Sequence, residues 1–164
     1  MKQKFIVTLA MVVISTICFA QTVTQGTFVK KIGDFEVYTN GEIFFRTMTN
    51  EDYDKLVATK KLQASTETFT SPTQLFCEDY KGYLVKILVS IGTINKLVGI
   101  GVSDGSSLVV TKFGTMPAVP TGWGTTKAYF KKEGIQVNIG IGTGTALNYF
   151  NTGLLQYQLI KIIK

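Results

Sequence analysis

Turn residues cut this chain into short β-prone runs, and that punctuation constrains the fold more than any other feature. Thr27-Phe28-Val29, Phe35-Glu36-Val37-Tyr38 and the run from Glu42 to Arg46 follow one another closely, and Asn40-Gly41 between the last two is a strong hairpin signal. Tyr83 to Val89 is the clearest strand, rich in branched apolar residues. Thr66 to Thr70 and Gln136 to Ile141 read as further strands, the second entered through Lys131-Lys132-Glu133-Gly134. From Leu154 to Ile163, Gln156 and Gln158 alternate with Leu155, Tyr157 and Leu159 in the pattern of a half-buried strand.

Two stretches carry helix signals instead. Thr49 can cap a helix whose first turn holds Glu51 and Asp52 and whose last turn holds Lys60 and Lys61. Tyr53, Leu56 and Val57 give that helix one apolar face, which is expected to pack on the strand carrying Arg46. Ser71-Pro72-Thr73-Gln74 has the form of a capping box with proline at the first helical position, and predicts a helix from Pro72 to Tyr80. After a shorter apolar run, Leu97 to Val102, a polar turn follows at Ser103-Asp104-Gly105, and Phe113 to Thr126 reads as a long irregular loop of Gly, Pro and Trp. No internal repeat or linker interrupts the pattern, so the expectation is one α+β domain with most of its mass in sheet.

The first twenty residues have a different character. Met1-Lys2-Gln3-Lys4 is a basic start, Phe5 to Ala20 an apolar run, and Cys18-Phe19-Ala20 a small-x-small exit. This predicts a signal peptide over 1–20, cleaved after Ala20, and a mature domain over 21–164 that is secreted or periplasmic. The apolar run is shorter than the roughly 20 residues a bilayer requires, so no membrane association is expected after its removal. Only Cys77 remains in the mature chain, so no internal disulfide can form and a hydrophobic core must carry stability.

The charge balance of +6 falls to +4 once Lys2 and Lys4 leave, and Arg46 is the only arginine. Such a mild excess without arginine clusters gives no strong nucleic-acid signal. The chain has no histidine, which removes Ser-His-Asp and Cys-His machinery in their usual form. Cys77, without a histidine base, reads as a small packing residue. Gly140-Ile141-Gly142-Thr143-Gly144 does not read as a dinucleotide motif, because its glycine spacing is wrong and no parallel βαβ unit follows.

Arg46 follows three large apolar residues and precedes a helix signal, an unusual place for surface charge. Its planar fork of donors suits a phosphate or carboxylate, and the alternative is an ordinary ion-paired arginine at a strand end. Downstream lie Thr70 and Ser71 at another strand end, and Glu133, the only acid in the last third of the chain, near Gln136. Ser71 alone is explained by helix capping, and Glu133 alone by pairing with Lys131 or Lys132.

The order of these features resembles the Arg-Ser-Glu class of ADP-ribosyltransferases. The segments FFRTMTNEDYDKLVATKKL, ETFTSPTQLFCEDYKGYLVKILVSIGT and KKEGIQVNIGIGTGTALNYFN are similar to toxin domains of bacterial polymorphic (Rhs-type) proteins, nearest to the TreTu family. The resemblance implies an ADP-ribosyltransferase-like split β-sandwich with short flanking helices that takes NAD, as substrate, in a central cleft. Arg46, with Thr47 beside it, would then hold the NAD phosphates. Thr70 and Ser71 would order the cleft and the nicotinamide-side ribose, and a third-motif carboxylate would bond the ribose 2′-hydroxyl. Glu133 is the acid available for that catalytic role, while strand-for-strand alignment puts Gln136 at its position. The loop from Phe113 to Trp123 would help admit the target. The implied activity is a secreted mono-ADP-ribosyltransferase-like toxin acting on a macromolecule, protein in the first instance, with a candidate immunity protein as second partner. The alternative is a catalytically degenerate secreted binding module on the same fold.

Overall fold

The computed structural model describes residues 22–64 and 68–164. The signal-peptide expectation, and Thr66 and Glu67 of one expected strand, lie outside the described residues. The architecture is α+β, a split β-sandwich flanked by short helices. The larger sheet holds β1 (Phe28–Ile32), β2 (Phe35–Tyr38), β3 (Gly41–Met48), β5 (Gly82–Val89) and β9 (Leu154–Ile163), in the spatial order β1-β2-β3-β5-β9. All its neighbours are antiparallel. The smaller sheet holds β4 (Thr68–Thr70), β6 (Gly101–Ser103), β7 (Ala128–Glu133) and β8 (Gln136–Ile141), in the order β4-β8-β7-β6. Only β6 against β7 is parallel there.

The core lies between the sheets. Phe35, Phe44, Val85 and Ile87 face it from the larger sheet, and Phe130, Val137, Ile139 and Ile141 from the smaller, all fully buried. Alternation along β8 therefore leaves Gln136, Asn138 and Gly140 on the opposite face. The helix α5 (Thr145–Gly153) closes one side, its Phe150 ring standing edge-on to Phe44 at 5.2 Å.

Among the described residues backbone hydrogen bonds join the two sheets at one place: Phe45 N–H donates to Ser71 O and Ser71 N–H to Phe45 O, both at 2.8 Å. This antiparallel bridge ties the middle of β3 to the residue just past β4. Beyond it the sheets diverge and leave a cleft.

Several expectations are corrected here. Asn40-Gly41 does lie in the β2–β3 hairpin, but Tyr38 pairs with Gly41, so the turn itself is Thr39-Asn40. Asn40 does not adopt positive φ. Its amide instead accepts from Gly26 N–H and donates to Thr24 O, both at 2.8 Å, pinning the segment before β1. Arg46 is not the end of its strand, because β3 continues to Met48 in register with β5. The helix α1 (Asn50–Thr59) is capped by Thr49 as expected, its hydroxyl accepting from Asp52 N–H at 3.1 Å. Its Tyr53, however, stacks at 5.0 Å on Tyr83 of β5, the strand beside the one carrying Arg46. Lys60 ends the helix in a left-handed conformation rather than continuing its last turn.

The helix expected from Pro72 to Tyr80 shrinks to α2 (Gln74–Cys77), because Thr73 takes the cap position with its hydroxyl donated elsewhere. The apolar run from Leu97 divides between α3 (Thr93–Gly99) and β6, and α4 (Ser107–Phe113) follows, capped by Ser106. Glu133 is the last residue of β7, paired with Gln136 across the two-residue turn Gly134-Ile135, and not part of the approach to β8.

The helix α3 owes its start to a distant carboxylate. Glu42 of β3 is fully buried and accepts from Gly92 N–H at 2.7 Å and Ile94 N–H at 2.8 Å. These are the donors that a helix's first turn leaves unsatisfied. Burial raises the Glu42 pKa, and the two N–H donors hold it back. Replacing Glu42 with alanine strands both donors in the interior, and is expected to lower unfolding stability by about 3 kcal/mol. Urea denaturation of Glu42→Ala against wild type, with Glu42→Gln intermediate, measures this.

Candidate functional site

The cleft beyond the Phe45–Ser71 bridge has a volume of about 330 Å³. Arg46 and Thr47 of β3, Thr70 and Ser71 at the end of β4, and Glu133 at the end of β7 all line it. Five of the six residues singled out from the sequence thus share one cavity, although they come from three strands of two sheets. The sixth, Gln136, lies just behind the wall and is bonded to Ser71. Phe69, Phe76, Tyr80 and Asn138, which sequence reasoning passed over, also line the cavity, as do Cys77, read as a packing residue, and Lys131, read as a partner of Glu133. Period-two alternation from Glu133 and Gln136 would have found Lys131 and Asn138, which project from the same sheet face and pair across β7 and β8.

Arg46 is the electrostatic centre of the cavity. One terminal N–H of its guanidinium, on Nη1, donates to Phe69 O at 2.7 Å, whereas Nε is buried with no hydrogen-bond partner. Among the described residues no carboxylate forms an ion pair with it. Burial lowers its pKa, with Asp52 and Cys77 opposing that shift. An arginine begins so far above neutrality that it stays charged. The cleft therefore holds a cation with no carboxylate in contact among the described residues and only the more distant charge of Asp52 acting on it, and burying such a cation costs free energy.

Thr47 and Thr70 are committed to the walls, Thr47 Oγ1–H donating to Cys77 O at 2.6 Å and Thr70 Oγ1–H to Ile139 O at 2.9 Å. Ser71 does not cap α2. Its hydroxyl donates to Thr73 O at 3.0 Å and accepts from Thr73 N–H at 3.1 Å, a local turn that also presents Oγ to Gln136 Nε2 at 2.8 Å. Glu133 forms an ion pair with Lys131 at 2.6 Å, and the Lys131 ammonium also stands 5.8 Å from the centre of the Phe69 ring. Hydrogen bonding to Glu133 raises the Lys131 pKa.

An aromatic wall continues from the cleft. Phe69 packs against Trp123 at 5.9 Å and Tyr129 at 5.8 Å, and those two rings are 5.1 Å apart. Gly140 makes room for them: a Cβ there would lie 2.7 Å from the Trp123 ring and 3.0 Å from Phe69. The loop expected to be irregular from Phe113 to Thr126 is thus anchored at Trp123, in a 3₁₀ turn over Trp123–Thr125.

A family model described as PT3 toxin domain matches residues 40–159, which include every residue lining the cleft. This chain belongs to the PT3 toxin domain family. No curated protein matches it. The matched span of the PT3 toxin domain begins at the β2–β3 turn and ends within β9, so it takes in both sheets apart from β1, β2 and the last residues of β9.

Cys77 of the PT3 toxin domain is 4% exposed, and burial pushes its thiol up to about 11. A thiol reacts as the thiolate, so at pH 8 about one molecule in a thousand would be competent, against roughly a quarter for an ordinary cysteine near 8.5. Alkylation of Cys77 by iodoacetamide, followed by peptide mass mapping, is expected to be at least a hundredfold slower in the native protein than in urea at pH 8. The native rate should still be climbing at pH 10.

Proposed function

We propose that this PT3 toxin domain is an exported mono-ADP-ribosyltransferase that transfers ADP-ribose from NAD to a protein target. The observation that carries the reading is the Arg46 guanidinium, without an ion pair among the described residues, in a cavity shared with Thr70, Ser71 and Glu133. A pyrophosphate is a ligand of matching charge, and the terminal guanidinium nitrogens of Arg46, which lines the cavity, are the donors its oxygens would meet. The sequence resemblance to the Arg-Ser-Glu class supports the same assignment.

In this reading Arg46, beside Thr47, anchors the phosphates, while Thr70 and Ser71 shape the wall against the nicotinamide-side ribose. The bond between ribose C1′ and the nicotinamide nitrogen breaks, and its electron pair leaves with nicotinamide. Positive charge develops on the ribose ring, where the Glu133 carboxylate stabilises it. A nucleophile on the target then bonds C1′ and releases its proton to solvent. Gln136 acts on this chemistry through the residues it holds. Neutralisation by an immunity protein would fit a toxin of this kind.

The Glu133–Lys131 pair favours a second reading, because a carboxylate already holding an ammonium stabilises a developing cation less well. In that reading the domain binds nucleotide without turnover.

Incubating the purified protein with NAD labelled in its adenylate part and a bacterial lysate distinguishes the two. Transferase activity is expected to label a discrete protein band. Arg46→Ala is expected to abolish the label, Arg46→Lys to reduce it at least tenfold through loss of the fork, and Glu133→Gln to slow it by about a hundredfold. Labelling undiminished in Arg46→Ala overturns the assignment, and NAD binding without nicotinamide release establishes the second reading.

A further inference from the structure

The wall behind the cleft contains a chain of hydrogen bonds whose direction can be worked out atom by atom. Thr73 O is a carbonyl and can only accept, and the Ser71 hydroxyl donates to it at 3.0 Å. Ser71 Oγ accepts in turn from Gln136 Nε2 at 2.8 Å. Gln136 Oε1 then faces Thr73 Oγ1 at 2.6 Å and accepts its proton. The second N–H of Gln136 points at Asn138, 2.6 Å away, so the Asn138 atom facing it is Oδ1.

Two consequences follow. Every polar atom of the Gln136 amide is used inside the wall, leaving it nothing to offer a ligand. Asn138 has its oxygen consumed and its NH₂ left over. Asn138 Nδ2 donates no hydrogen bond among the described residues and is not one of their buried, unsatisfied atoms, and Asn138, although only 2% exposed, lines the cleft.

We infer that Asn138 is a specificity-determining residue, whose amide NH₂ donates to an acceptor oxygen of the bound ligand. The inference rests on the NAD reading and deepens it. Together with Arg46 it makes the cleft a donor-lined site, whose one carboxylate, Glu133, is already paired with Lys131. The ligand atom over Asn138 is then an oxygen without a proton, such as a phosphoryl or carbonyl oxygen. A hydroxyl there could turn to donate to an acid, so the two cases respond oppositely to one isosteric change. Gln136 is a positioning residue, since it sets which end of Asn138 faces the ligand.

Asn138→Asp tests this, because it keeps the oxygen that Gln136 needs and replaces only the free NH₂ with an anionic oxygen. Calorimetric titration of NAD into the purified proteins is expected to rank affinity as wild type, then Asn138→Ala, then Asn138→Asp. The alanine variant should lose about threefold to tenfold and the aspartate variant at least tenfold. Thermal melts of each variant identify any loss that comes from unfolding, and Gln136→Leu, which frees Asn138 to turn over, should weaken binding by more than twofold while the fold persists. Binding to Asn138→Asp as tight as wild type, or unchanged binding by Asn138→Ala, overturns the inference while leaving the NAD reading intact. A wild-type protein that does not bind NAD overturns both, and one that binds NAD but transfers nothing overturns only the transferase reading.

Discussion

Two backbone hydrogen bonds between Phe45 and Ser71 decide the shape of everything around the cleft. Without them β3 and the end of β4 would be held together by side-chain packing alone. With them, the backbones are pinned together at one point, with the packed core between the sheets and the cleft lined by the residues next to the bridge. The residues next to the pin inherit fixed positions from it. Arg46 follows Phe45 directly, Thr70 precedes Ser71, and Ser71 itself becomes the acceptor on which the Gln136 and Asn138 amides are oriented.

Placing a guanidinium beside that pin is costly. A buried cation gives up hydration worth several kcal/mol, and the Phe69 carbonyl returns only part of it. The domain offsets this elsewhere with a core drawn from both sheets, in which Phe35, Phe44, Phe130 and Phe150 are fully buried. The same reasoning separates Arg46 from Glu42. Both are buried charges, but Glu42 has two backbone donors and a helix start to stabilise it, so its role is complete within the fold. Arg46 has one donor to the Phe69 carbonyl and a buried Nε without a partner, so the fold leaves its hydrogen bonding unfinished.

The strands were legible because alternation and turn residues act locally. Phe35–Tyr38, Gln136–Ile141 and Leu154–Ile163 begin and end where pattern alone puts them. The short helices were not, since several depend on partners far along the chain. The start of α3 is set by Glu42, fifty positions earlier than one of the donors it satisfies, and α2 begins late because Thr73 is drawn toward Gln136. At the site, Arg46 could be found because it is the only arginine, and Ser71 because it follows a strand end, although the helix cap its sequence suggested is not made. Asn138 could not, because its direction depends on a bond that exists only once β4 and β8 are paired. The same pairing explains why Gln136, plausible as a ligand-facing residue in one dimension, points into a wall in three.

The first described residues also lie on the last strand. Val23 N–H and Thr24 N–H donate to the side-chain oxygens of Gln158 and Gln156, while Val23 itself packs with Ile43 and Leu88 on the far face of the larger sheet. Fraying normally starts independently at each end of a domain. Here Val23 and Thr24 and the Gln156–Gln158 part of β9 hold each other, so releasing either segment frees contacts made by the other and gives the outer strand a molecular seam.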